Sequence, residues 1–224
     1  MAIDINKLQS LLIKDVRPFY LKTDKAHQIE HILEVMSNVS IICFKLRRMD
    51  CLRAALVGAA YHDIHSTKVL REVHHIHSFS HVLDERERFM KRYGMTHDEL
   101  TNAAYACLEH RNSWDGGYNS IVSEIVAAAD RGYPKTGEMP NLLKRAYLFG
   151  REKGYSVKES QLRAIGVLEE RLGRGKMGAV PEWYYTVFEK ELDLRWKEIA
   201  NLDINAFTPE LILAWEEELS INEE

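Results

Sequence analysis

Ten histidines occur in the chain, and all of them lie between His27 and His110. Inside that window His62-Asp63 closes the apolar run Ala54-Ala55-Leu56-Val57-Gly58-Ala59-Ala60-Tyr61. A neutral imidazole and a carboxylate are both good ligands for a first-row divalent cation. The small residues ahead of the pair let other helices pack closely around whatever it holds. Adjacent side chains on a helix point about 100° apart, so an ion shared by both must sit over the helix edge. Further ligands must then come from other segments, and four are in place: His31, His81, His110 and Asp130. The chemistry open to such a set is that of a bound cation, which polarises oxygen and activates water.

The elements that must position these residues read as helical almost throughout. Leu8, Leu11, Leu12 and Val16 mark a first short helix that Pro18 stops. A second runs from about Lys25 to Arg48, with Ile29, Ile32, Leu33, Met36, Val39 and Ile42 spaced by three and four. Asp50 is placed to cap a third, through Leu52, Ala55, Leu56, Ala59 and Ala60 into His62-Asp63. A polar segment from Ser66 to His77 shows no periodicity, and a helix then spans His81 to Tyr93, closed by Gly94. Thr96 and Glu99 have the form of a capping box, opening a helix that ends near His110. Asp115-Gly116-Gly117 is a turn signal, and Ile121 to Asp130 is again apolar and helical before Gly132 and Pro134. Ser156 and Glu159 form a second capping box, for a helix to about Leu172. A basic loop, Gly173 to Gly178, precedes a long amphipathic helix from Pro181 to about Leu202, and Thr208-Pro209-Glu210 starts a last one. The expected fold class is all-α, with a metal-binding core over residues 1–140 and a helical extension over 141–224.

Composition narrows the function classes. The 224 residues are 46% hydrophobic and 29% charged, with 12 glycines and 5 prolines, a soluble globular composition poor in helix breakers. A net charge of −4 argues against a protein that coats nucleic acid. The apolar runs, Val39 to Phe44 with Ser40 inside it and Ala54 to Tyr61, are far too short for a membrane span, and the first residues lack the basic start and apolar stretch of a signal peptide. Cys43, Cys51 and Cys107 fall inside helical sequence and read as small buried apolar residues in a reducing, cytoplasmic setting.

The ordered set resembles the HD-domain superfamily, whose motif is a His, an adjacent His-Asp and a distant Asp. Glu30-His31 followed by Val35 looks like the family's opening, and Tyr61-His62-Asp63-Ile64 like its apolar run into His-Asp. Ala127-Ala128-Ala129-Asp130 resembles its closing helix. The resemblance covers roughly residues 20 to 135. His81-Val82-Leu83-Asp84 and Glu109-His110-Arg111 match the places where two-metal members carry two extra histidines. His110 to Tyr118 is loosely similar to the HD-GYP phosphodiesterases but lacks their second His and their Gly-Tyr-Pro ending. The set as a whole looks closer to the short HD phosphohydrolases, including those acting on dinucleoside polyphosphates.

The resemblance implies an HD helical bundle in which His31, His62, Asp63 and Asp130 hold one cation. Asp63 would bridge to a second cation held also by His81 and His110. Four imidazoles with two carboxylates suit Mn, Fe, Co or Ni better than Mg. Two cations about 3.5–4 Å apart would activate a water for attack on phosphorus. The substrate implied is a small phosphate-containing molecule of nucleotide type, with Lys68 or Arg111 beside Asp63 to neutralise oxygen charge. Two other uses of the same set stay open: a di-iron oxygenase of the myo-inositol oxygenase type, and a nucleotide-binding module without catalysis. The short interval from His110 to Asp130 resembles the hydrolases more.

Several residues have plainer readings. His27 shares a helix face with His31, but only His31 has Val at the family offset. His74, His75 and His77 crowd His81, and His77 lies on its face. His65 and His97 read as ordinary, and the Arg174/Lys176 loop as a solvated turn. The stripe Trp183, Tyr184, Val187, Phe188, Leu192, Leu194 and Trp196 reads as core packing or a dimer interface, and the charges between them, Arg195 included, as a solvated face. Residues after about Leu142 read as a helical cover for the core or as an assembly surface for a homo-oligomer.

Overall fold

The structure, a computed structural model, describes residues 4–23, 29–67, 69–135, 137–176 and 180–221, with side chains to residue 217. His27 and Lys68 lie outside the described residues. The described residues form α-helices joined by turns and short 3-10 segments, with no strand among them, as an all-α chain requires. They divide into two compact units, Met1–Tyr133 with Ala179–Val187, and Pro134–Gly178 with Phe188–Glu224.

The first unit contains α1 (Ile5–Tyr20), α2 (Ile29–Lys45), α3 (Leu52–Tyr61), α4 (His74–Asp84), α5 (Arg86–Tyr93), α6 (His97–Glu109) and α7 (Ile121–Asp130). Its axis is α3. Every residue of that helix except Arg53 is buried, because a helix apolar on all sides is stable only when surrounded. It packs against α1, α2, α6 and α7. Gly58 allows a close approach of α6 and α7: a Cβ there would meet Ala106 Cβ at 3.0 Å and Val126 Cγ2 at 3.3 Å. The free cysteines Cys43, Cys51 and Cys107 are all buried in this unit.

Several element boundaries differ from the sequence reading. Pro18 does not stop α1, which carries it within its last turn to Tyr20. The helix expected across His81 to Tyr93 is two helices with a break at Glu85. The first of these already begins at His74, inside the segment that showed no periodicity. Gly94, at φ +63, ends α5 in the left-handed conformation that glycine tolerates best. Both capping boxes are present, at Thr96/Glu99 and Ser156/Glu159.

The second unit contains α8 (Met139–Glu152), α9 (Val157–Leu172), α11 (Glu189–Ala200) and α12 (Pro209–Ile221) around Met139, Leu143, Tyr147, Leu168, Ile199, Phe207 and Trp215. The long helix expected from Pro181 is interrupted at Phe188, giving a short α10 (Glu182–Val187) ahead of α11. Helix α10 belongs to the first unit, where Trp183 Nε1 donates to Glu124 Oε2 and Tyr184 Oη donates to Gly132 O at 2.6 Å. The division therefore falls at Tyr133 rather than at 140, and the chain returns once to the first unit. Arg195 is not solvated: it is 4% exposed, and its Nη2 donates to Glu138 Oε2 at 2.6 Å. Arg174 lies over the Trp196 ring at 5.1 Å. Among the described residues no helix is long and apolar enough to cross a membrane.

Candidate metal centre

Helix α3 ends at Tyr61, and the turn after it delivers His62 and Asp63 into the buried interior of the first unit, His62 being fully buried. Asp63 divides its two carboxylate oxygens. Its Oδ2 lies 3.2 Å from His62 Nε2 and 3.8 Å from His31 Nε2. Its Oδ1 lies 2.9 Å from His74 Nε2 and 3.2 Å from His110 Nε2. On the Oδ2 side Asp130 Oδ1 completes the group, 3.2 Å from His31 Nε2 and 3.6 Å from His62 Nε2. Among the described residues two sets of three donors come close enough to hold a metal ion: His31, His62 and Asp130, and His62, Asp63 and His110.

The imidazoles are fixed from behind. His62 Nδ1 lies 2.8 Å from Ala59 O, His110 Nδ1 2.8 Å from Cys107 O, and His74 Nδ1 2.6 Å from Arg71 O. A carbonyl oxygen only accepts, so in all three rings Nδ1 carries the proton and donates it. In the neutral ring Nε2 is then a bare lone pair facing Asp63. Between His74 and His110 two such nitrogens stand 3.1 Å apart. Two lone pairs so close repel unless a proton or a cation lies between them.

Backbone contacts set the helices that carry these rings. Tyr20 Oη donates to Ala60 O at 3.1 Å, tying α1 to the end of α3. Buried Asn38 donates from Nδ2 to Ala129 O at 3.1 Å, tying α2 to the residue before Asp130. Arg131 reaches Asp130 Oδ2 and the carbonyl of His110.

Electrostatics follow the geometry. Burial opposes a charge on His62, but Asp63 and Asp130 outweigh it and hold its pKa well above the usual histidine value. Burial likewise opposes charge on the two carboxylates. His62, His110 and His74 around Asp63, and His31 and His62 around Asp130, keep both well below the usual aspartate value. Burial pushes His110 down, with Asp63 offsetting part of the effect.

Of the six residues the sequence offered as ligands, five come together: His31, His62, Asp63, His110 and Asp130. His81 does not join them. Its ring stands 5.3 Å from Phe19, 5.7 Å from His65, 5.9 Å from Tyr61 and 6.2 Å from Phe89. Its place beside Asp63 is taken by His74. The two residues are seven apart on α4, nearly the same helix face but about 10 Å apart along the axis. The face could be read from the sequence; the position of the helix start could not. Arg111 donates from Nη1 to Glu72 O at 2.5 Å and lies 3.3 Å from the Glu72 carboxylate. It therefore stands next to the group with its guanidinium already engaged. Neither Asn38 nor Arg131 was singled out in the sequence as positioning the group; adjacency to Asp130 was the signal available for Arg131.

Comparison with protein-family models, with curated proteins and with solved structures finds no match for this chain.

Proposed function

We propose that the chain is a metal-dependent phosphohydrolase of HD type that takes two cations. His31, His62, Asp63 and Asp130 would hold the first, and Asp63, His74 and His110 the second. The observation that carries this reading is the carboxylate of Asp63, each of whose oxygens faces its own pair of imidazole nitrogens. Three of those imidazoles have Nδ1 committed to carbonyls, the arrangement that fixes a ring for metal binding. The donor set of four imidazoles and two carboxylates fits Mn, Fe, Co or Ni.

Cations in such a set supply Lewis acidity toward a phosphoryl oxygen and lower the pKa of a water. The chain's own residues do the rest. The buried walls of α3, α6 and α7 exclude bulk water from one side of the carboxylates. Asp63 and Asp130, ionised in spite of burial, supply the negative charge that two cations need. Arg111, one residue beyond His110, brings positive charge for an anionic substrate, and the Glu72 carboxylate it holds is 84% exposed and free to be displaced by a phosphate. Lys68 belongs to the same proposal from its place in the sequence. The substrate class proposed is a small phosphoester or phosphoanhydride of nucleotide type.

The test is elemental analysis of the purified protein, followed by phosphate release from a panel of nucleotides and dinucleotides with Mn or Co, and oxygen uptake in parallel. Metal-dependent phosphate release, lost in Asp63→Asn, is the expected result. Oxygen uptake with iron, or a bound nucleotide that survives metal addition unchanged, would replace this reading by one of its rivals.

A further inference from the structure

One side chain touches both halves of the centre. Arg131 follows the last residue of α7 and is 17% exposed. Its Nη1 lies 3.2 Å from Asp130 Oδ2, and its Nη2 donates to the backbone carbonyl of His110 at 2.8 Å. Its Nε is buried and makes no hydrogen bond to the described residues, so the hydrogen bonds described for the side chain run through its two Nη groups. A guanidinium is a rigid planar fork, and two contacts from one fork fix the separation of the groups they hold.

Each contact has a consequence for the donors. With Oδ2 of Asp130 held by Arg131, Oδ1 is the oxygen turned toward His31 and His62, at 3.2 and 3.6 Å. At the other contact, the carbonyl of His110 lies at the C-terminal end of α6, where carbonyls lack partners within the helix. Arg131 satisfies that carbonyl, while the His110 ring is pinned through Nδ1 to Cys107 O. A contact with Asp130 alone would be an ordinary helix-end ion pair. The second contact, to a residue 21 positions earlier in another helix, makes the side chain a brace.

We infer that Arg131 is a positioning residue that holds the Asp130 side and the His110 side of the centre in register and leaves Asp130 one inward-facing oxygen. This inference rests on the metal-centre reading but on nothing about the substrate. The sign of the charge separates geometry from electrostatics. Removing a positive charge beside a cation site, by itself, strengthens cation binding. Weaker binding on losing Arg131 therefore reports lost positioning.

The experiment uses metal-free full-length protein as wild type, Arg131→Met and Arg131→Lys, titrated with cobalt(II) by calorimetry and by visible absorption. Thermal melts of the metal-free forms run alongside. Arg131→Met is expected to bind cobalt about 10–100-fold more weakly, the usual cost of losing a group that orients ligands, with an altered absorption band. Arg131→Lys keeps the charge without the fork and is expected to weaken binding in the same direction; it carries the test if the Met variant does not fold. Affinity equal to or tighter than wild type in a folded variant, with an unchanged spectrum, overturns the inference and leaves the metal centre standing. Wild-type protein that takes up no cobalt overturns both.

Discussion

His74 Nε2 lies 2.9 Å from Asp63 Oδ1, whereas His81, seven residues further along α4, sits in a nest of Phe19, Tyr61, Phe89 and His65. The two histidines therefore separate in a metal-binding experiment. We expect His74→Ala to lower bound Mn or Co toward one ion per chain and His81→Ala to leave the wild-type count. Elemental analysis after gel filtration measures both. A count that falls in His81→Ala and holds in His74→Ala would reverse the assignment.

What the sequence made legible follows from the physics of each residue. Helix α3 was plain because a run apolar on every side has few alternatives to a buried helix, and Asp130 because it ends a second such run. The capping boxes at Thr96 and Ser156 were equally plain, since the residues that make the cap are local. His74 was hidden because residues 69–73 form a turn with no apolar periodicity to mark where a helix begins, and the start of α4 decides which histidine reaches Asp63. The break at Phe188 was hidden too. Its apolar spacing continues through Tyr184, Phe188 and Leu192, all fully buried, across two different helices.

Metal binding is expected to strengthen as pH rises from about 6 to about 8. In the metal-free protein the pKa of His62 is held above its ordinary value of 6.5 by Asp63 and Asp130 against the cost of burial. The stability it contributes is present below that value and fades as pH rises through the raised one. A cation must displace the same proton. The contributions of Asp63 and Asp130, whose pKa values are lowered, are lost only when pH falls below the ordinary aspartate value of 3.8. Melting temperature with and without excess Mn at three pH values measures the effect. A metal-induced shift that stays constant or shrinks with pH contradicts it.

Gly58 gives a prediction about packing alone. A glycine inside a helix gives up about 1 kcal/mol of helix propensity relative to alanine. Here, however, α6 and α7 come so close that a Cβ would lie 3.4 Å from Ala103 O as well as against Ala106 and Val126. Gly58→Ala is expected to be close to neutral, the propensity gain offsetting the contact at 3.0 Å. Gly58→Val adds two methyl groups with no room for them and is expected to destabilise by about 1–3 kcal/mol. Urea denaturation of the two variants measures the difference, and equal stability would mean that the helices can separate at little cost.

In the second unit Glu216 on α12 gathers donors from α8. It accepts from Tyr147 Oη, from Arg151 Nε at 2.7 Å and from Arg151 Nη2 at 3.2 Å. Tyr147 is fully buried, with its ring 5.6 Å from Trp215 and 6.0 Å from Phe207, so its hydroxyl has little access to water if the carboxylate is removed. Glu216→Ala is expected to destabilise by about 1–3 kcal/mol, the cost of leaving such a group unsatisfied. Arg151 lowers the pKa of Glu216 against the smaller effect of burial. That contribution is present above the ordinary glutamate value of 4.5 and is lost as pH falls through the lowered one. The gap between wild type and Glu216→Ala should therefore be larger at neutral pH and narrow in acid as the charge-dependent part is lost, as read by denaturant unfolding at both. A gap that persists unchanged at about pH 3, where an unperturbed glutamate is already protonated, would assign the loss to packing around Tyr147 rather than to the charge.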